Sequence, residues 1–600
     1  MKKPVLLTLL ILTFNLVFCV SLLYAGPFIP VSDVMSVNAI KPGMKGYAVT
    51  VIEGTETVRF PVEVISTVPQ KSKPGKLILI RAGGPVIEKT GGIASGMSGS
   101  PVYIAGKLVG AIGYGWNFSE HDLGLVTPIE EMASIWEWPE DPPGFPVPVD
   151  ITPVSKDQKD EGKNITSQDL GSNILFEGAS ADIRSLPVYA SGISNRAAEN
   201  IGKVLDEKVV NSIIPVNDDI PVEYNARLKP GEAVGVLMAW GDVSMGATGT
   251  LTSVSRDGRF VAFAHPFLNR GNVAFPLTRS WIHSVIPSVR SPFKLGTPLA
   301  IVGSVTQDRP QGIGGRIGKF LPAIDVSLKL EDTEFSRSSR KRFHIASDPF
   351  LVSKIFPELL IGVIDDLWGR KGEGTFRVDL EIEGGTLTEG WTTSNYFFSD
   401  KDIASVAAED LKSIVDTVSL NPFRKINPFG FYINIQATSE PKVLYIEKLK
   451  VDKKKIKAGE ELKIEVTLRP YRKKQITKEF TLSVPEKAFG PCEVLVRGGG
   501  ISPMEQESIY QGLNTISSFN ELLEELNARE ANNEVIIELV YNEKPGNDQN
   551  IDNNEDKLLS EVKESRMKEG TLRIFKSNYY VEGLLRKNVT VIPVSEDGNS

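Results

Sequence analysis

Residues 90–115 read TGGIASGMSGSPVYIAGKLVGAIGYG. Glycines crowd the first half around Ser98, and from Pro101 onward the stretch becomes an apolar strand, a turn at Gly106 and a second strand. Similar apolar or β-branched runs surround it from Ile40 to Trp138: YAVTVIEG, RFPVEVISTV, KLILIRAGG and LGLVTPI. Short strands at close, regular spacing predict half of a β-barrel over residues 26–137. The fold class expected for the whole chain is therefore mainly β.

Six hundred residues exceed what one core can organise, and at roughly 100–200 residues per domain three to five units are expected. A net charge of −8 lacks the Lys/Arg excess that a phosphate-binding surface needs, so nucleic acid is excluded as a partner. Basic runs such as KVDKKKIK (450–457) read as solvated strand or loop faces. Lys2 and Lys3 precede an apolar run from Pro4 to Ala25, the pattern of a secretory signal with cleavage after Ala25. The run, at roughly 20 residues, is also long enough to stay as a membrane anchor. No later segment suggests membrane contact. The two cysteines are Cys19, inside that run and after Phe18 (a poor lipidation context), and Cys492. The mature chain then has no intramolecular disulfide and no cysteine-based zinc site. An exported protein held together by its core is the expectation, periplasmic or extracellular.

Beyond the first unit, residues 138–172 are proline-rich and then polar, which predicts a linker. NIT at 164–166 matches a glycosylation sequon by chance composition. A second β-rich block spans 173–335, with strands flanking the turn at 256–258. Residues 336–430 read as an α+β connecting segment. Within it Ile403, Val406, Ala407, Leu411, Ile414, Val415 and Val418 recur at helical spacing over 402–418. Residues 431–600 alternate apolar and polar residues in the manner of a β-sandwich, with one amphipathic helix over 517–530 and a disordered insertion near 542–557.

A serine hydroxyl becomes a useful nucleophile when it is presented, has a base, and has N–H groups to hold the developing oxyanion. The glycines around Ser98 permit a tight turn that presents it and aims the N–H groups of Gly96 and Ser98 into one pocket. A glycine-rich hairpin without chemistry fits the same residues. Four histidines limit the search for a base. His121 lies in an acidic loop and reads as solvated, while His283 and His344 read as structural. His265, at the end of an apolar strand and before Pro266, is the candidate. The scattered histidines give no metal-binding spacing, so neither metal nor cofactor is expected.

The stretch 90–115, followed by GLVTPIEEM, resembles the serine-bearing end of the SpoIVB-type serine peptidases, and more distantly the GxSGxP signature of chymotrypsin-like enzymes. GATGTLTSVSRDGRFVAFAHPF (246–267) is similar to that family's histidine segment, and VGSVTQDRPQGIGGRIG (302–318) to the glycine-rich stretch after it. The resemblance covers about 40–135 and 230–330. It implies a two-lobed chymotrypsin-like β-barrel core, Ser98 as nucleophile, His265 as base, and an oxyanion hole from the N–H groups of Gly96 and Ser98. It implies an exported serine endopeptidase acting on polypeptides, or an inactive peptidase-like binding or scaffold protein of the cell envelope with a protein partner.

This chain departs from the family in several places. The serine comes first, 167 residues before His265. Ala264 stands where the family's glycine precedes its histidine, whereas Met97, in place of the Asp of chymotrypsin-like enzymes, agrees with the SpoIVB type. The family's aspartate aligns with Gly83; Glu88 is the nearest carboxylate there, out of phase. Asp242, Asp257, Asp308 or a backbone carbonyl are the available substitutes. The family's PDZ module is not recognisable.

Overall fold

A computed structural model of the chain describes residues 26–140, 187–211, 227–501, 516–543 and 558–592, apart from 118, 207–208, 385–386, 425 and 427–429. The N-terminal apolar run, the sequon, nearly all of the 138–172 linker and residues 544–557 lie outside the described residues. No helix among the described residues is long and apolar enough to cross a membrane.

Six strands build the first lobe: β1 (Lys45–Val51), β2 (Thr57–Pro69), β3 (Lys76–Ala82), β4 (Pro101–Ile104), β5 (Lys107–Tyr114) and β6 (Leu123–Pro128). They close into a barrel in the order β1-β2-β3-β6-β5-β4, with β4 paired back onto β1. Alternation puts Phe60, Val62 and Val64 of β2 inside, facing Ile78, Ile80, Val102 and Val126. β5 is buried on both faces from Leu108 to Tyr114, because one face fills the barrel and the other meets the second lobe.

The second lobe begins with β7 (Val188–Ser191) and β8 (Val209–Asn211), which edge a larger sheet. Next come β9 (Ala233–Gly241), β10 (Ser244–Val254), β11 (Arg259–Ala262), β12 (Gly271–Ile286), β13 (Phe293–Arg309) and β14 (Gly312–Ile317). They pair as β9-β12-β13-β14-β11-β10, and β10 pairs again with β9. That ring is a second six-stranded barrel, so the two-lobed β-barrel core expected from the resemblance is present. The sheet continues outward through β15 (Ala323–Asp332) of the second β-rich block, then β16 (Arg337–Ala346), β17 (Gly374–Gly384) and β18 (Leu387–Ser399) of the segment expected as α+β, and β19 (Gly430–Thr438) at its end, in the order β18-β17-β19-β15-β16. Helix Ile403–Ser419, capped by Asp402, packs on it with the expected stripe buried except Val406, which is 40% exposed.

The remaining strands form a sandwich of a four-stranded and a five-stranded sheet around Leu462, Ile464, Val466, Val494, Val496 and Ile537. Helix Phe519–Ala528 starts at Ser518, whose hydroxyl accepts from the Glu521 amide.

The two barrels meet at Gly99. Its N–H donates to the Ile112 carbonyl of β5 (2.7 Å), and its carbonyl accepts from Thr252 Oγ1 of β10 (2.8 Å). Its φ of 91° lies in the left-handed region, and a Cβ there would stand 1.9 Å from the Thr250 carbonyl oxygen. The Gly99→Ala variant is therefore expected to lose about 2–4 kcal/mol, read as a lowered midpoint in urea unfolding.

Candidate active site

The serine loop follows helix Gly84–Thr90, which ends at Gly91 in the left-handed conformation. Met97 anchors the loop: its side chain is fully buried in the first barrel's core, and Ala94 N–H contacts its Sδ at 3.4 Å. An aspartate at this position would be driven into apolar surroundings, which accounts for the methionine.

Hydrogen bonds then fix the peptide planes one by one. The Ser95 carbonyl accepts from Lys294 N–H (2.9 Å), and the Met97 carbonyl accepts from Ser100 N–H (2.9 Å). In a trans peptide the N–H lies opposite the carbonyl, so the Gly96 and Ser98 N–H groups are turned away from those donors. The amides of Ser95, Met97, Gly99 and Ser100 all donate to backbone carbonyls, whereas those of Gly96 and Ser98 donate to no group among the described residues. Two alternate amides are thus left open where their neighbours are engaged. Ser98 is 7% exposed, and its Oγ is buried without a hydrogen-bond partner. Ser100 is also buried and its Oγ unpartnered, but both its amide and its carbonyl are used within the structure.

His265 is presented by a strained turn. Phe263 (φ 67°) and Ala264 (φ 60°) both sit in the left-handed region, at a cost of roughly 1–2 kcal/mol per residue. The Phe263 ring is fully buried and packs edge-on against Phe267, which in turn meets Phe275; that burial holds the turn. The imidazole is itself buried, and its Nδ1 stands 2.6 Å from the Pro266 carbonyl oxygen. A carbonyl only accepts, so Nδ1 carries the hydrogen and Nε2 holds the lone pair. Burial pushes the His265 pKa down to about 4, with the Pro266 carbonyl partly opposing it.

Of the carboxylates considered from sequence, none touches the imidazole. Asp242 accepts from the Arg342 amide, and Asp257 pairs with Arg259 at 2.7 Å. Asp308 is buried beneath the histidine turn and accepts from the amides of Phe267, Leu268 and Arg270. It holds the loop after His265 and leaves the tautomer to the Pro266 carbonyl. Gly83 caps helix Gly84–Thr90, and a side chain there would meet nothing within 4 Å; Glu88 is exposed. The other histidines are engaged elsewhere. His121, half-buried, reaches the Val289 carbonyl at 3.1 Å. His283 meets Thr297 Oγ1 at 2.7 Å, and His344 pairs with Asp325 while stacking on Trp240.

Both segments converge on the same two strands. Thr250 of β10 donates its N–H to the Ser98 carbonyl (2.9 Å) and accepts from Phe263 N–H (3.3 Å). Along β5, Ile112 takes the Gly99 amide, a Cβ at Gly113 would lie 2.6 Å from the Ala264 carbonyl oxygen, and the Tyr114 ring centroid is 5.9 Å from that of His265. Ser98 Oγ and the imidazole are not hydrogen-bonded to each other.

Residues 29–132 match the family model described as SpoIVB peptidase S55. This segment is a SpoIVB-type peptidase domain. The match takes in the first barrel and the serine loop, and ends before the segment carrying His265. No curated protein and no solved structure matches the chain.

Reading the sequence missed Lys294, whose fully buried side chain lies against Gly96. On an alternating strand a lysine reads as a solvated face; the small residues opposite it, Gly96, Thr50 and Thr250, were the available signal.

The low pKa of His265 makes a thermodynamic statement. Between pH 6.5 and about 4 the unfolded chain binds a proton at this position that the folded chain does not, so stability falls as the pH drops through that window. The His265→Asn variant is expected to lack about 2 kcal/mol of this acid sensitivity, seen by comparing urea midpoints of both proteins at pH 7 and pH 4.5.

Proposed function

We propose that the chain is an exported serine endopeptidase, with Ser98 as nucleophile and His265 as general base. The reading rests on one observation above all: of the successive amides in the serine loop, those of Gly96 and Ser98 alone are open, two residues apart and ending at the nucleophile. Donors so placed suit a tetrahedral oxyanion, and removing one such donor in known enzymes costs about 2.7–4 kcal/mol of transition-state stabilisation.

Ser98 Oγ attacks a peptide carbonyl while its proton passes to His265 Nε2, the nitrogen left basic by the Nδ1–carbonyl bond. The carbonyl oxygen gains charge between the two open amides. The intermediate collapses to an acyl-enzyme as the imidazolium protonates the leaving amine, and water reverses the sequence. Attack requires the Ser98 side chain and the imidazole to close to hydrogen-bonding reach, about 2.6–3.2 Å, on substrate entry. Because a neutral carbonyl supports the imidazolium less than a carboxylate does, turnover is expected to be slow, with about 10⁴-fold lost in known triads stripped of the acid. Residues 1–25 supply the export signal or anchor in this reading.

A second reading, an envelope binding or scaffold protein that kept the peptidase fold without the chemistry, is favoured by the unbonded Ser98 Oγ and by Gly83 in place of the family's aspartate. Clefts of about 300 and 660 Å³ between helix Ile403–Ser419 and the sandwich give such a protein room for a partner. A fluorophosphonate probe separates the readings. Folded wild type is expected to be labelled at Ser98 by peptide mass mapping, and Ser98→Ala and His265→Ala to lose labelling by at least a hundredfold. Folded wild type that stays unlabelled establishes the binding reading.

A further inference from the structure

Lys294 lies on β13, in the hairpin arm that reaches across to the first barrel, and is 1% exposed. Its Nζ donates to Thr50 Oγ1 of β1 (2.9 Å) and Thr250 Oγ1 of β10 (3.1 Å). Among the described residues no carboxylate pairs with it. The titratable group touching the residue is Tyr189 of β7, whose phenol donates to the Lys294 carbonyl (3.3 Å) and is pushed above its ordinary value by burial. A buried ammonium with hydroxyl partners and no counter-charge is costly, and no packing requirement of an alternating strand explains it.

Its contacts explain where it is. The Lys294 backbone N–H holds the Ser95 carbonyl, which sets the plane carrying the Gly96 N–H. Its Nζ donates to Thr250 Oγ1, whose own hydroxyl hydrogen goes to the Gly96 carbonyl (2.9 Å). The stem lies where a Cβ on Gly96 would stand 3.1 Å from its Cβ and Cδ. The Lys294 backbone thus fixes the Ser95–Gly96 plane, and its ammonium bears on the Gly96–Met97 plane through the Thr250 hydroxyl.

We infer that Lys294 is a positioning residue of the proposed oxyanion site, orienting the Gly96 peptides and adding positive charge behind them. The inference rests on the peptidase reading. Burial brings the lysine's pKa down to about 7, so the charge is present in the acidic range and withdrawn as pH rises through neutrality. His265 is neutral above about pH 4, which leaves a window in which base and cation are both in the useful form.

The test follows fluorophosphonate labelling of the full-length protein from pH 5 to 9, with thermal midpoints measured alongside. Wild type is expected to label more slowly above about pH 7. Lys294→Met is expected to label at least tenfold more slowly at pH 6, to lose that alkaline fall, and to melt no lower than wild type at pH 6, since an unpaired buried charge has gone. Thr250→Val keeps the charge but cuts the link to Gly96; it is expected to label about tenfold more slowly and retain the alkaline fall. Lys294→Met that labels at the wild-type rate, or keeps the alkaline fall, overturns the inference. If Lys294→Met does not fold, wild-type labelling by Thr250→Val overturns it instead. Labelled wild type with unaffected variants removes Lys294 alone; wild type that never labels removes the peptidase reading and this inference together.

Discussion

Thr250, on the second barrel, makes four polar contacts that connect three distant segments. Its N–H meets the Ser98 carbonyl, its carbonyl meets the Phe263 amide, and its hydroxyl lies between the Gly96 carbonyl and Lys294 Nζ. The serine loop comes from the first barrel, the histidine turn from the connection between β11 and β12, and the lysine from β13. A shift of this strand moves all three at once. Gly99 sets how closely the strand can be approached: with a hydrogen in place of a side chain, the serine loop lies directly on the Thr250 carbonyl.

Several features in this small region work against stability. Ser98 Oγ is buried without a partner, which in a protein interior costs about 1–3 kcal/mol. Two non-glycine residues in succession are left-handed, and a lysine is buried without a counter-charge. These costs are offset close by. Met97 is sunk in the first core, and Phe263 stacks into an aromatic row with Phe267 and Phe275. The Phe263 ring finds room because position 249 is glycine, where a Cβ would come within 2.5 Å of it. Apolar mass thus over-determines a backbone that local preference alone would relax, a pattern found where geometry serves chemistry.

The first barrel was legible because its strands are short, alternating and separated by glycine turns, so period and spacing agree. The helix at 403–419 was legible for the same reason, its stripe of Ile403, Ala407, Leu411 and Val415 matching one buried face. Closure of the second ring was not, since it depends on β9 pairing with both β10 and β12, and alternation carries no information about partners. At the site, the glycines marked Ser98 and the scarcity of histidine marked His265. The group that fixes the histidine tautomer was hidden because every residue has a carbonyl; that of Pro266 is special only through the turn that bends it back onto the ring. Asp308 was visible as a carboxylate, but its bonds to the amides of Phe267, Leu268 and Arg270 are a property of the folded turn.

Serine-first chain order is compatible with this geometry because nothing in the site depends on the covalent path between the lobes. Ser98 is located by β10 and by the β12–β13 arm, which holds Ser95 through Pro292 and Lys294. His265 is located by β6, through Thr127 Oγ1 on the Ala264 carbonyl, and by β5, through the ring of Tyr114. Each lobe therefore contributes to positioning the other's reactive residue. What the order does not supply is a carboxylate behind the imidazole. The Pro266 carbonyl selects the tautomer but cannot neutralise the charge that forms when Nε2 takes a proton, and burial without that compensation is what brings the pKa to about 4. A base this weak is tolerable when the electrophile is strongly activated and limiting when the leaving group is an amine, so in the proposed enzyme the burden of rate falls on holding the oxyanion and not on proton transfer.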